Sequence, residues 1–364
     1  MTKENISLNQ LLALIVNFLL GSSIVIGIAN DAKNDAWISI LLGGLIGSGI
    51  IWFYIQLLKR LPGKNIFEIM EFCLGRKISI ILSFIYVVYF IYISCRVLRD
   101  FEELMSSALM PNTPTEVFAI TFSLVMGFIV YLGIEILART SEVFTPYLLG
   151  FIFLLVIFLF ASGTIHLEQI RPFLGGGIMP ILKTSFTQLI FFPFGELVVF
   201  TVILSNLTNT NHRLRISLIG VATATFLMTV SKIMQIISID VDAIQRSNFP
   251  LLSAARNISI ANFIERVDAL VVFIILLGVL VKGSVYLFAG LKGLEHICHL
   301  PYRYFVLPVC MLISAFSIWV SIDFADHIKE GLQMVPIYLH LPLQFCFPIL
   351  LFLVLLWKQR KTSS

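Results

Sequence analysis

Ten stretches of about 20 mainly apolar residues, each long enough to cross ~30 Å of hydrocarbon as a helix, leave this chain little choice of fold. Inside a bilayer no water meets an exposed amide or carbonyl, so each stretch must satisfy its own backbone as a helix. The stretches run 8–30, 36–57, 78–98, 117–137, 145–163, 184–205, 215–238, 265–290, 304–322 and 335–357. With 58% apolar and 13% charged residues and a mean hydropathy of +0.96, the chain lies far outside the range of a soluble domain. No long hydrophilic block interrupts the series, so the expectation is an all-α integral membrane protein, one domain over 1–364. The first stretch is too long, and too soon followed by a second, to be a cleaved leader, and is expected to remain as the first span.

Basic residues set the orientation, because lysine and arginine are retained on the cytoplasmic side. Lys59, Arg60, Lys64, Arg76 and Lys77 cluster after the second stretch, and Lys358, Arg360 and Lys361 follow the last. Both termini are therefore expected to be cytoplasmic. The same asymmetry accounts for the net charge of +4 and gives no reason to invoke nucleic acid. The five cysteines show no paired spacing and read as small apolar fillers. His296 and His299 flank Cys298 without a further ligand cluster, which rejects a metal site. Neither a cofactor-binding motif nor a nucleophile with a neighbouring base is present in the sequence, which argues against an enzyme.

Two stretches are interrupted in the middle. In "LIFFPFGELVVF" (189–200) Pro193, Gly195 and Glu196 break an apolar run, and in "FLLGSSIVIGIAN" (18–30) Gly21, Ser22 and Ser23 do so at similar depth. Proline frees a carbonyl one turn earlier, and unwound backbone at membrane depth persists only where it is buried in protein or lines a cavity. Breaks at matching places in two halves mark an inverted-repeat transporter, with stretches 1–5 and 6–10 as repeats and the ligand held at the breaks. Half-helix amides suit a carboxylate and half-helix carbonyls suit an ammonium, so an amino-acid zwitterion fits both.

Four sections together resemble one family: "PFGE" (193–196), "GIEILARTSEVFTP" (133–146), "IRPFLGGGIMPIL" (170–182), and "FPLLSAARNISIANFIERVDAL" (249–270) followed by "VLVKGSVYL" (279–287). Over essentially its whole length the chain resembles the B-subunits of the GerA-type spore germinant receptors, permease-like proteins related to the amino acid-polyamine-organocation transporters. The resemblance implies a ten-helix, LeuT-like 5+5 inverted repeat with helices 1 and 6 broken. It also implies a nutrient sensor, often for an amino acid, that works beside an A-subunit and a lipoprotein C-subunit in the inner membrane of a dormant spore. A secondary permease for an amino acid or amine is the alternative on the same fold. A purely structural scaffold would have no use for matched breaks.

The expected ligand-binding set is Gly21, Ser22, Ser23, Tyr89, Phe192, Phe194, Gly195 and Glu196. A carboxylate as deep as Glu196 marks a site or pathway, caps the amides exposed by the break, or does both. Lys282 either snorkels to the inner interface or stands as a fixed charge, paired with Glu196, where related transporters bind a coupling cation. Glu135 and Arg139, four apart, read as a helix surface pair, and Glu265, Arg266 and Asp268 as an ion-pair cluster anchoring an outer loop. Gly43, Gly44 and Gly47 read as helix packing sites.

Overall fold

The computed structural model describes residues 4–163, 165–259, 267–321 and 323–363. Its elements are helical: α1 (Leu8–Leu20), α2 (Ala36–Lys59), α3 (Ile66–Leu74), α4 (Arg76–Leu104), α5 (Thr115–Leu132), α6 (Ile134–Ser162) and α7 (Ile178–Thr184) in the first half. The second half holds α8 (Gly195–Asn206), α9 (Arg213–Ser238), α10 (Val241–Arg246), α11 (Pro250–Arg256), α12 (Asp268–Cys298), α13 (Val306–Trp319), α14 (Phe324–Val335) and α15 (Phe347–Ser363). Among the described residues eight helices are long and apolar enough to cross a bilayer, and α1 and α8 are shorter apolar helices.

Local chemistry places several of the boundaries. Ser7 and Gln10 form a reciprocal capping box at the start of α1, and Asn65 and Glu68 form another at α3. In α3 the residues Ile66, Ile69, Met70 and Cys73 are buried, the spacing of a one-sided helix, which seats this short helix against α4. Gly133, at φ 113°, joins α5 to α6 in a backbone region that favours glycine.

The most buried of the long helices is α12, wrapped by α1, α4, α5 and α6. Glycines decide how closely its neighbours approach. A Cβ at Gly278 would stand 2.9 Å from the Gly21 Cα, so α12 touches the end of α1 backbone to backbone. On α2, a Cβ at Gly43 would stand 3.0 Å from both Leu189 and Phe194, and one at Gly47 would stand 2.5 Å from Phe194. These small positions admit the chain segment between α7 and α8 into the bundle.

Both interrupted stretches are broken in the structure. α1 ends at Leu20, Gly21 takes φ 21° and ψ −124°, and residues 21–29 run as turns before a short 3₁₀ turn at Asn30–Asp35. α7 passes into a π-helical turn at Ser185–Leu189, and residues 190–194 are turns that lead into the 3₁₀ start of α8 at Gly195. A third irregularity lies at Pro336–Cys346, an 11-residue π-helical segment between α14 and α15, and wide turns of this kind recur at functional sites.

Candidate functional site: two helix breaks around a buried ion pair

Glu196, in the first turn of α8, and Lys282, midway along α12, meet between the two breaks. Lys282 Nζ lies 2.6 Å from Glu196 Oε2, with the side chains 0% and 2% exposed. The ammonium also stands over the Phe192 ring at 4.4 Å from its centroid and over Phe18 of α1 at 5.4 Å. Two charges this deep persist only with a close partner and further polar or π contacts, and here each charge supplies the other's partner. The snorkelling reading of Lys282 is thereby replaced: its ammonium turns inward to the α8 carboxylate. Gly21 makes room for the lysine stem, since a Cβ there would stand 2.6 Å from Lys282 Cδ. The Tyr286 hydroxyl, one turn further along α12, lies beside Glu196.

A second polar layer joins α4 to the π-helical segment. Tyr89 hydroxyl and His340 Nδ1 are 2.8 Å apart, and Gln344 Nε2 donates to Tyr89 Oη at 3.0 Å. Tyr86 and Tyr54 donate to the Leu343 and Gln344 carbonyls at 2.6 and 2.7 Å, which supplies partners to backbone groups on the π-helical turn. Phe191, in the break, stacks on the His340 ring at 6.4 Å and 17°. The layer thus ties the α7–α8 break to α4.

A cavity of about 60 Å³ lies against the ion pair, lined by Phe192, Glu196 and His340 on one side and by Ile93, Arg96, Asp100 and His327 on the other. It shares Ile26, Gly27, Ile328 and Leu332 with a vestibule of about 1000 Å³ that opens to the surface. The vestibule is bordered by Asn30, Asp31, Gln188, Arg246 and Lys329, a mixed polar rim.

Of the residues expected to form a site, Phe192 and Glu196 line the cavity itself. Gly21 and Gly195 sit at the breaks, where Gly195 is pressed against Ile190 O and the Gln344 side chain. Ser22 is fully buried with no partner for its hydroxyl among the described residues, whereas Ser23 turns its hydroxyl back onto the Leu19 and Leu20 carbonyls at the end of α1. Tyr89 spends its hydroxyl on His340 and Gln344. Phe194 is wedged against Gly43 and Gly47 of α2. Away from the cavity, Arg139 pairs with Glu135 at 2.6 Å and Asp268 with Arg256 at 3.7 Å. Glu265 and Arg266 lie outside the described residues.

His340, Gln344, Tyr286, Asp100 and His327 were not singled out from sequence. Two signals point to three of them in retrospect: His340 and Gln344 are four apart inside an apolar stretch, and Asp100 follows Arg96 by four; Tyr286 and His327 carry no such signal.

Broken apolar helices around a buried ion pair, beneath a solvent-open vestibule, define a permease-type integral membrane protein. Solved transporters share this fold. The chain superimposes with a TM-score of 0.63 on MhsT in complex with L-phenylalanine, at 12% identity, covering 96% of this chain and 98% of that one. It superimposes at 0.62 on Mhp1, a nucleobase-cation-symport-1 family transporter in a closed conformation with bromovinylhydantoin bound, at 14% identity, covering 88% and 73%. The chain belongs to the spore germination protein family, whose profile matches residues 5–325. Spore germination protein KB of Bacillus subtilis (strain 168) is 36% identical over 372 aligned positions, covering 100% of this chain and 98% of the relative. Spore germination protein YndE of the same strain is 22% identical over 370 positions, covering 98% of each.

Proposed function

We propose that this chain is the nutrient-sensing B-subunit of a spore germinant receptor, taking a small ligand, an amino acid, at the breaks in the first and sixth spans, after α1 and between α7 and α8. The observation that carries the reading is the Glu196–Lys282 pair: it lies between the two breaks and beside a small cavity that shares four lining residues with an open vestibule. In this reading the chain is a single ten-span domain, a LeuT-like 5+5 inverted repeat with α1 and α7–α8 as the broken helices. Both termini are cytoplasmic and the vestibule faces outward. Ligand binding shifts the bundle by no more than its difference in affinity between two states, and the A-subunit and lipoprotein C-subunit receive that shift or open an ion path. L-phenylalanine in the MhsT structure supports an amino-acid ligand on this fold. The shared fold with two transporters also favours a second reading, a permease that carries an amino acid or amine by alternating access.

Spores carrying Glu196→Gln, challenged with a nutrient panel and checked for protein abundance, test the sensor reading. At normal abundance the response is expected to move to higher nutrient concentration or to disappear. An unchanged response would remove the site assignment. Ligand flux into vesicles holding this chain alone would favour the permease.

A further inference from the structure

One wall of the small cavity is a single face of α14. His327, Ile328, Gly331, Leu332 and Val335 line it, positions that fall on one stripe of a helix. Several contacts fasten this helix to α4, among them Tyr92 Oη donating to Glu330 Oε1 at 3.4 Å. Arg96 donates from Nη2 to the His327 carbonyl at 2.5 Å, Arg96 Nη1 lies 3.4 Å from Glu330 Oε2, and His327 Nε2 lies 3.0 Å from Asp100 Oδ1. The Arg96 guanidinium passes across Gly331, where a side chain would collide with it. Asp323 caps the helix by accepting the Asp326 amide at 2.8 Å. The His327 ring is stacked on Phe324 at 5.5 Å and 18°, so its plane is fixed as well as its Nε2 contact.

The imidazole is therefore used on one side and unused on the other. A carboxylate accepts only, so the nitrogen facing Asp100 carries the proton, and in the neutral ring Nδ1 is left as an acceptor. His327 is 2% exposed, and its Nδ1 has no partner among the described residues. His327 Nδ1 is one of several buried acceptors without a partner among the described residues, and because its residue lines the cavity it points to an occupant that brings a hydrogen-bond donor. Asp100 and Glu196 line the same cavity. Arg96 also lines the cavity, but its guanidinium is engaged by Glu330 and the His327 carbonyl, so two carboxylates and an imidazole lone pair favour a donor that is also positively charged. Lys282 already answers Glu196, which leaves Asp100 and His327 as the pole open to a ligand.

Size narrows the choice further. At 10–15 Å³ for each water centre, 60 Å³ holds about four to six waters, enough for an ammonium and the few heavy atoms attached to it. The remainder of a ligand would extend past Ile26, Gly27, Ile328 and Leu332 into the vestibule.

Resting on the reading of this cavity as the ligand site, we propose that His327 and Asp100 form the subsite for the ligand's primary ammonium group. His327 Nδ1 and the Asp100 carboxylate accept from the ammonium, and Asp100 also holds the ring in the tautomer that leaves Nδ1 free to accept. Because both walls are then bridged by the ligand, its ammonium also fixes how α14 sits on α4.

The test uses the purified full-length protein in detergent, its thermal unfolding followed with three small probes: L-alanine, ethylamine and propionate. The two amine-bearing probes are expected to raise the unfolding temperature and propionate is not. This comparison is made on the wild-type chain and needs no variant. His327→Asn keeps an acceptor near the Nδ1 position and is expected to retain the amine response. His327→Gln keeps a donor toward Asp100 but loses that acceptor, and is expected to bind the amines about ten- to hundred-fold more weakly. Stabilisation by propionate equal to that by ethylamine, no response to either amine, or wild-type amine binding by the Gln variant would each overturn the assignment. Ethylamine acting without L-alanine would assign the pole to simple amines and retain it. Amine binding by the purified chain, together with spores that show no nutrient response through it, would leave this subsite standing and remove the sensor reading. A nutrient response equally well driven by the deaminated analogue would do the reverse.

Discussion

Breaking the Glu196–Lys282 pair from either side is the perturbation with the largest expected effect. At 2.6 Å the attraction between the two charges is ~6 kcal/mol for an effective dielectric of about 20. Burying each ion costs several kcal/mol, so the pair as a whole contributes little, while one partner left alone bears its burial cost without compensation. Glu196→Gln leaves the Lys282 ammonium with the Phe18 and Phe192 rings and no counter-charge. Lys282→Met leaves the Glu196 carboxylate with Tyr286 beside it. Each single change is expected to lose ~3–5 kcal/mol, a large fraction of the ~5–15 kcal/mol typical of a folded protein. The double change removes both charges while nearly conserving shape, and is expected to recover at least ~2 kcal/mol relative to the worse single variant. Thermal unfolding of the four purified chains in detergent gives the cycle. Additivity within ~0.5 kcal/mol, or single variants as stable as the wild type, would show that the charges are not coupled and refute the reasoning. The double variant carries a second reading: folded but unresponsive spores would place the pair in signalling and not in folding alone.

Three further predictions follow from the same geometry. Gly195→Ala sets a Cβ 2.5 Å from the Ile190 carbonyl and 2.9 Å from Gln344 Cδ, so the break must shift; spores should lose the nutrient response or the protein itself, measured by germination and by abundance. Tyr89→Phe strips His340 and Gln344 of a shared buried partner and is expected to destabilise by ~1–3 kcal/mol in thermal unfolding, with no loss if the π-helical segment repacks. Glu4 accepts from Arg303 Nη2 at 2.5 Å, the Tyr302 hydroxyl at 3.0 Å and the Ile134 amide at 3.1 Å, next to the short backbone bridge of Ile6 with Asn206 and Thr208. Glu4→Ala is expected to speed hydrogen exchange of the Ile6 and Thr208 amides about ten- to hundred-fold, and unchanged exchange would show that the bridge holds without it.

What could be seen in the sequence was the set of misfits. Pro193, Gly195 and Glu196, like Gly21 to Ser23, stand out because apolar spans tolerate few such residues, and the structure is irregular at both places. Lys282 stood out for the same reason, and its partner was one of the few carboxylates at similar depth. Side-chain direction did not follow from the pattern: Phe194 is as apolar as Phe192, yet one packs on α2 glycines and the other lines the cavity, because periodicity fails where the helix unwinds. The π-helical segment was equally hidden, since Pro336 and Pro342 allow several kinds of irregular turn, and it is contacts from elsewhere in the chain, three tyrosines among them, that hold this one.

The reason lies in the solvent. In water a polar side chain needs no particular partner, whereas within an apolar bundle it must find one, so each polar residue in an apolar run announces a contact without naming it. The sequence therefore carries half-pairs. Asn17 meets Ser141 and Thr145, Lys232 meets Asn30, Glu196 meets Lys282 and Asp100 meets His327, each across a long separation in sequence. Once these pairs are matched, an atom that remains unmatched becomes informative. His327 Nδ1 lies in that class, on a residue that lines the cavity, and in the proposed subsite it is this unmatched atom, more than the satisfied pair beside it, that sets the chemistry a ligand must supply.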